Sequence, residues 1–266
     1  MIGIGLGLTK RRGGGGVILD PDLQTYLDAL STPLSSDQQT KLSTLITDVK
    51  DGLNINNLSD FFDTFYMLAN ETEDAALKNM VKRSHDGIAY NSPVFTQYEG
   101  FKGDGSNAYL KMDYNPSTDA VNYTQNESSY GLLTLSGGIN PASYGPQYGI
   151  AAYGLGYYSI DKIRHYHNDN TRKDINNTNN NTNYIFSSNN LTNVSVWNNG
   201  LLTSYVGDND NLPSSQVTLL RVGAYYALDT ISFYMSGAKK LSSTSEGVIR
   251  NAIETYMDSN GKGILT

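Results

Sequence analysis

A chain of 266 residues is long enough for one large β-sandwich or for two small domains. Its net charge of −7 argues against a nucleic-acid partner and against an anionic membrane surface. It has no cysteine, hence no disulfide framework and no thiolate chemistry, and only 17% of its residues are charged. Tyr, Asn, Ser, Thr and Gly are abundant instead, the mixture that adaptable contact surfaces use.

The chain opens with Ile2, Ile4, Leu6 and Leu8 alternating with Gly3, Gly5 and Gly7. In an extended backbone this period of two puts the branched side chains on one face and bare backbone on the other. The glycine face would let another backbone approach closely. The run is shorter than the about 20 apolar residues that span a bilayer. Lys10, Arg11 and Arg12 follow it rather than precede it, which is the reverse of a secretion signal. Residues 13–16 are all glycine and read as a tether. Residues 1–16 therefore read either as a strand of the domain itself or as an anchor that adds to a partner as a strand or plug.

Residues 17–84 read as a helical segment. Asp20 and Pro21 make a helix start, and Leu23, Tyr26, Leu27 and Leu30 lie on one helical face. Ser35 with Gln38 has capping-box spacing and leads into Leu42, Leu45, Ile46, Val49 and Leu53. Leu58, Phe61, Phe62 and Phe65 continue the pattern as a third helix, and residues 72–80 read as a short fourth. These amphipathic helices form either a collar or a layer packed on one edge of the main domain, and the need to cover their apolar faces favours the second.

From residue 85 to 266 the period becomes two. Residues 88–90, 94–98, 108–113, 129–135, 183–187, 191–197, 201–206, 217–223 and 230–237 read as strands separated by Gly, Pro, Asn and Asp. Asn198, Asn199 and Gly200 read as a tight hairpin turn, and Trp197 as core. Ser243 and Glu246 cap a final amphipathic helix bearing Val248, Ile249, Ala252, Ile253 and Tyr256. Many short strands without helices between them indicate a mainly β, antiparallel sandwich with an N-terminal helical segment and a C-terminal helix.

Several stretches carry a resemblance: Leu34-Ser35, Tyr66-Met67-Leu68-Ala69, Asn91-Ser92-Pro93-Val94-Phe95, Gly100-Phe101-Lys102-Gly103-Asp104-Gly105-Ser106, Asn115-Pro116-Ser117-Thr118-Asp119, and the run from Leu241 to Tyr256. Together they resemble bacteriophage structural proteins with a concanavalin A/LamG-like jelly roll, found on tail or capsid appendages. The resemblance covers roughly residues 20–261 and leaves 144–183 unmatched. It implies a jelly-roll sandwich in a virion fibre, spike or decoration subunit. Such a subunit would be a homo-oligomer, a trimer by preference, joined to other virion proteins through the anchor residues Ile2, Gly3, Ile4, Gly5, Leu6, Gly7 and Leu8. The alternative is an adhesin that recognises a host surface polysaccharide.

No strand carries the Glu-x-Asp-x-x-Glu pattern of concanavalin-like glucanases, and Glu127 stands alone, so no catalytic residue and no hydrolytic activity are expected. His165 and His167 would share a face if extended, a spacing that can ligate a metal, but they read as two exposed polar residues. Asp208 and Asp210 form the weak candidate for a calcium loop; otherwise no cofactor is expected. Tyr144, Tyr148, Tyr153, Tyr157 and Tyr158 lie in a Gly-rich segment. They are either sandwich core and rim or a stacking surface for sugar rings.

Overall fold

The computed structural model describes residues 19–82, 84–135, 155–159, 162–165, 167, 173–176, 182–191, 193–207, 212–222 and 225–265. The anchor residues Ile2 to Leu8, the tyrosines Tyr144, Tyr148 and Tyr153, and Asp208 and Asp210 lie outside them.

The chain begins with two helices, α1 (Pro21–Leu27) and α2 (Ser36–Leu53). The Asp20 carboxylate caps α1 on the Asp22 N–H, and Ser35 Oγ caps α2 on the Gln38 N–H. Lys50 ties the two together by ion pairs to Asp20 at 2.7 Å and Asp22 at 3.1 Å. The helix expected over 58–65 is corrected. A single 3-10 turn (Leu58–Asp60) is followed by strand β1 (Thr64–Tyr66). Every residue from 62 to 70 is buried, so the Phe spacing reflects a strand covered on both faces rather than a helical stripe. Helix α3 (Glu73–Leu77), capped by Thr72, is shorter than expected.

The β region then runs β2 (Gly87–Tyr90), β3 (Val94–Thr96), β4 (Gly100–Lys102) and β5 (Tyr109–Met112), a helical turn α4 (Pro116–Asp119), and β6 (Glu127–Leu135). It continues with β7 (Leu155–Ser159), β8 (Lys162–His165), β9 (Lys173–Asn176), β10 (Thr182–Asn190), β11 (Asn193–Asn198) and β12 (Leu201–Val206). Last come β13 (Thr218–Leu219), β14 (Arg221–Val222), β15 (Tyr225–Tyr226), β16 (Thr230–Ala238) and helix α5 (Ser243–Ser259). The hairpin between β11 and β12 turns at Asn199 (φ 50°) and Gly200 (φ 81°), the two positive dihedrals that an Asn-Gly turn supplies cheaply.

Every strand pair among the described residues is antiparallel, and the architecture is mainly β with a few helices. The large sheet has the order β12-β11-β10-β6-β16-β4-β3, with β1 also on β16. Alternation sorts its side chains to two faces. Leu133, Tyr184, Phe186, Trp197, Phe233 and Met235 face α2 and α5, so the helices cover a face of the sheet rather than an edge. Tyr130, Leu132, Ile185, Val194, Val196 and Tyr234 face the other way, onto Leu110, Met112, Leu219, Ile163 and Ile175 of the smaller sheets β13-β5-β2 and β7-β8-β9.

Candidate functional site

The outer face of the β13-β5-β2 sheet carries an aromatic cluster. On β5, Leu110 and Met112 point into the core, so Tyr109 and Lys111 point out. Register pairs Tyr90 with Tyr109 and Ile88 with Lys111, which places those four residues on the outer face. The rings of Tyr90 and Tyr109 stack with centroids 5.0 Å apart and planes 7° from parallel. Tyr226 lies 6.3 Å from Tyr109, centroid to centroid. The Arg221 guanidinium sits 4.8 Å over Tyr109 and 5.5 Å over Tyr226, within cation–π range of both. Arg221 and Tyr226 are held together as register partners of β14 and β15. Tyr90 is 36% exposed and Ile88 is 45% exposed, so this is a surface and not core.

The loop entering β5 is tied together by hydrogen bonds to one carboxylate. The Asp104 carboxylate accepts from the Ser106, Asn107 and Ala108 N–H groups at 2.8–2.9 Å and from Ser106 Oγ at 2.7 Å. Those bonds, the Ala108 N–H foremost, hold its pKa far below the usual carboxylate range. Asn91 Nδ2, just after β2, donates to the Asn107 carbonyl, just before the paired strand β5, at 2.9 Å. The Gly-Asp-Gly-Ser stretch noted in the sequence therefore sets where Tyr109 stands. Such a surface offers flat π-faces for the C–H side of a sugar ring, and cationic groups for a carboxylate or hydroxyl.

Sequence reasoning missed these residues. Strands β2, β5 and β14 fall on stretches read as strands, but β15 does not, and nothing local brings Tyr90 and Tyr109, paired by register, against Arg221 and Tyr226 of the separate β14-β15 sheet. Of the tyrosines that the sequence did single out, Tyr157 and Tyr158 fall on β7, with Tyr157 opposite Ile163 of β8.

His165 and His167 do share a face, but the expectation that they are exposed is corrected, for both are fully buried. They are stable there because the sheet beneath supplies hydroxyls. His165 Nδ1 lies 2.6 Å from the Tyr205 hydroxyl and its Nε2 2.7 Å from Ser187 Oγ. His167 Nδ1 lies 2.6 Å from the same Ser187 Oγ and its Nε2 2.8 Å from Ser128 Oγ. Ser187 has one proton to give, so it can donate to at most one of the two imidazoles. Burial first, and the neighbouring His165 second, hold the His167 pKa well below 6.5. Glu127 is exposed at the start of β6, opposite Asn190. Among the described residues no group of three His, Cys, Asp or Glu is placed to hold a metal ion, and no helix is long and apolar enough to cross a membrane.

No protein-family model and no curated protein matches the chain. Solved structures do. Trypanosoma rangeli sialidase aligns over 85% of this chain and 40% of its own, with 12% identity and a TM-score of 0.53. The same sialidase as a covalent intermediate with 2,3-difluorosialic acid gives 10% identity and a TM-score of 0.55 over the same shares. The binding domain of botulinum neurotoxin serotype G aligns over 72% of this chain and 50% of its own, with 15% identity and a TM-score of 0.54. The chain thus spans no more than half the length of these structures, and at such identities the likeness shows the fold alone.

One expectation is overturned here. The absence of an enzyme was inferred from the missing glucanase carboxylate pair. Chains of this fold include sialidases, one of them trapped as a covalent intermediate. Sialidases use a tyrosine nucleophile in place of such a pair. The missing carboxylates therefore do not exclude catalysis.

Proposed function

We propose that this chain is a carbohydrate-binding protein whose outer sheet presents Tyr90, Tyr109, Tyr226 and Arg221 to an acidic glycan on a host surface. The observation that carries the reading is the Arg221 guanidinium lying over both Tyr226 and Tyr109, the ring on which Tyr90 stacks. In a chain of net charge −7, a local cation beside Lys111 and three aromatic rings favours a sugar that bears a carboxylate. The fold shared with a neurotoxin binding domain supports it.

A glycan array carrying matched acidic and neutral oligosaccharides tests the reading. Wild-type protein is expected to retain acidic glycans. Tyr90→Ala and Arg221→Gln are each expected to weaken retention at least about tenfold, equivalent to about 1.4 kcal/mol. Undiminished binding by the double variant would remove the surface from consideration.

The second reading concerns where the protein works. The period-two Ile/Gly peptide and the resemblance to phage appendage proteins favour a virion subunit with a jelly-roll strand order, trimeric and anchored through residues 2–8. Deleting residues 1–16 should then abolish incorporation into particles, and full occupancy by the deleted form would sink this reading.

A further inference from the structure

We propose, resting on the acidic-glycan reading of this surface, that the outer face of the β13-β5-β2 sheet accepts one carboxylate per glycan and turns polyanions away. Lys111 attracts the carboxylate, and Asp113 repels a second one. Selection of this kind joins an attraction to the right ligand with a repulsion of the wrong one.

Register lays this face out in rows. Tyr109 stands opposite Tyr90 in the first. Two residues on, Lys111 stands between Ile88 of β2 and Thr218 of β13. Pairing then runs on past the end of β5. The Asp113 N–H donates to the Asp86 carbonyl, the Met112 N–H to the Val217 carbonyl, and the Val217 N–H to the Tyr114 carbonyl. Met112 and Tyr114 are both fully buried, so Asp113 between them falls on the outer face, where it is exposed. Gln216 meets it from the β13 side, its Nε2 donating to Asp113 Oδ1 at 2.8 Å.

The charges of the last two rows are opposite and both unanswered. Among the described residues, Lys111 has no carboxylate within ion-pair distance and Asp113 has no cation. Gln216 is an amide, so it holds Asp113 without neutralising it. Asp86 differs, for it pairs with Lys78 at 2.9 Å. Same-face positions on a strand lie about 6.8 Å apart. That is within the Debye length of about 8 Å at physiological salt and beyond the about 3 Å at 1 M. A carboxylate on Lys111 therefore leaves room beside Asp113 for a neutral sugar, whose hydroxyls donate to it. A second carboxylate on that neighbouring sugar would meet Asp113 instead.

The test is calorimetric titration of the full-length protein with sialyllactose, which has one carboxylate, and with tetrasialic acid, which has four and is long enough to cross all three rows. At physiological salt the wild-type protein is expected to bind sialyllactose several-fold more tightly, and the margin should shrink at 1 M salt. Asp113→Asn, exposed and still an acceptor for Gln216, should tighten tetrasialic acid several-fold and change sialyllactose far less. Lys111→Gln should weaken sialyllactose several-fold more than it weakens lactose. If the wild-type protein binds neither acidic probe, the acidic-glycan reading and the charge selection fall together. If sialyllactose binds but tetrasialic acid binds as tightly, or the margin survives Asp113→Asn, or Lys111→Gln weakens sialyllactose and lactose equally, the acidic-glycan reading stands and the charge selection alone is overturned.

Discussion

Asp63 shows how one residue can hold three segments. It is 6% exposed, and its carboxylate gathers the Tyr114 hydroxyl at 2.9 Å and the Val121, Asn122 and Tyr123 N–H groups. Against its other side lies Gly237 at φ 83°, where an added Cβ would come within 2.2 Å of the Asp63 Cβ. Asp63→Ala strips several buried donors at once and should cost about 3 kcal/mol in urea unfolding, whereas Asp63→Asn, which keeps one acceptor, should cost less. Equal losses would mean that one neutral acceptor cannot stand in for the carboxylate. His167 gives the complementary case, a group kept neutral. The unfolded chain takes up a proton near pH 6.5 that the folded form refuses, so this stability is whole above 6.5 and is lost as pH falls below it. The slope can reach about 1.4 kcal/mol per pH unit. The rings of His165, Tyr130 and Tyr123 pack around His167. His167→Gln should lower stability at pH 7.5 but flatten its fall toward pH 5.5. An unchanged slope in the variant would assign the acid sensitivity elsewhere.

At the scale of elements, β12 stands out as an open edge. It pairs only with β11 among the described strands, and its sequence Leu201–Val206 holds no charge and no proline. Leu201, Leu202 and Val206 are exposed. Natural edges are usually blunted against strand addition, and this one is not. Thr203→Lys should therefore reduce self-association in sedimentation experiments while shifting unfolding by less than about 0.5 kcal/mol. Wild-type protein that stays monomeric at all concentrations would mean the edge is protected. The same strand shows what the sequence makes legible: its alternation and the Asn-Gly turn before it give its bounds as the structure has them. Caps were nearly as readable. Ser35 caps α2 as expected, while α5 is capped one residue early, by Ser242 with Ser245, leaving Glu246 buried on Arg250. What failed was β1, because a strand buried on both faces loses the alternation that identifies it. The tyrosine–arginine surface failed for another reason: its four residues come from β2, β5, β14 and β15, two separate sheets, and their meeting depends on tertiary packing that no local pattern records.

For the molecule as a whole, the two ends of the described chain carry unequal weight. Helix α5 closes the core over the large sheet with Ile249, Ile253, Tyr256 and Met257, all buried. At about 2 kcal/mol for each such side chain, their loss approaches the full stability of a domain, about 5–15 kcal/mol. Polar ties deepen the dependence. The Tyr256 hydroxyl donates to the Ala69 carbonyl, and Glu254 accepts from the Tyr184 hydroxyl and from the N–H groups of Ile264 and Leu265. At the other end of the described residues, Leu19 packs on the core, Asp20 pairs with Lys50, and α1 brings its own cap. A chain starting at residue 17 keeps all of these. It should melt within about 2 °C of the full chain in circular dichroism, whereas a chain ending at residue 242 should show no cooperative transition. A large fall in melting temperature for the first would make residues 1–16 part of the fold. A cooperative melt for the second would show that the sheet can close its helix-facing side without α5.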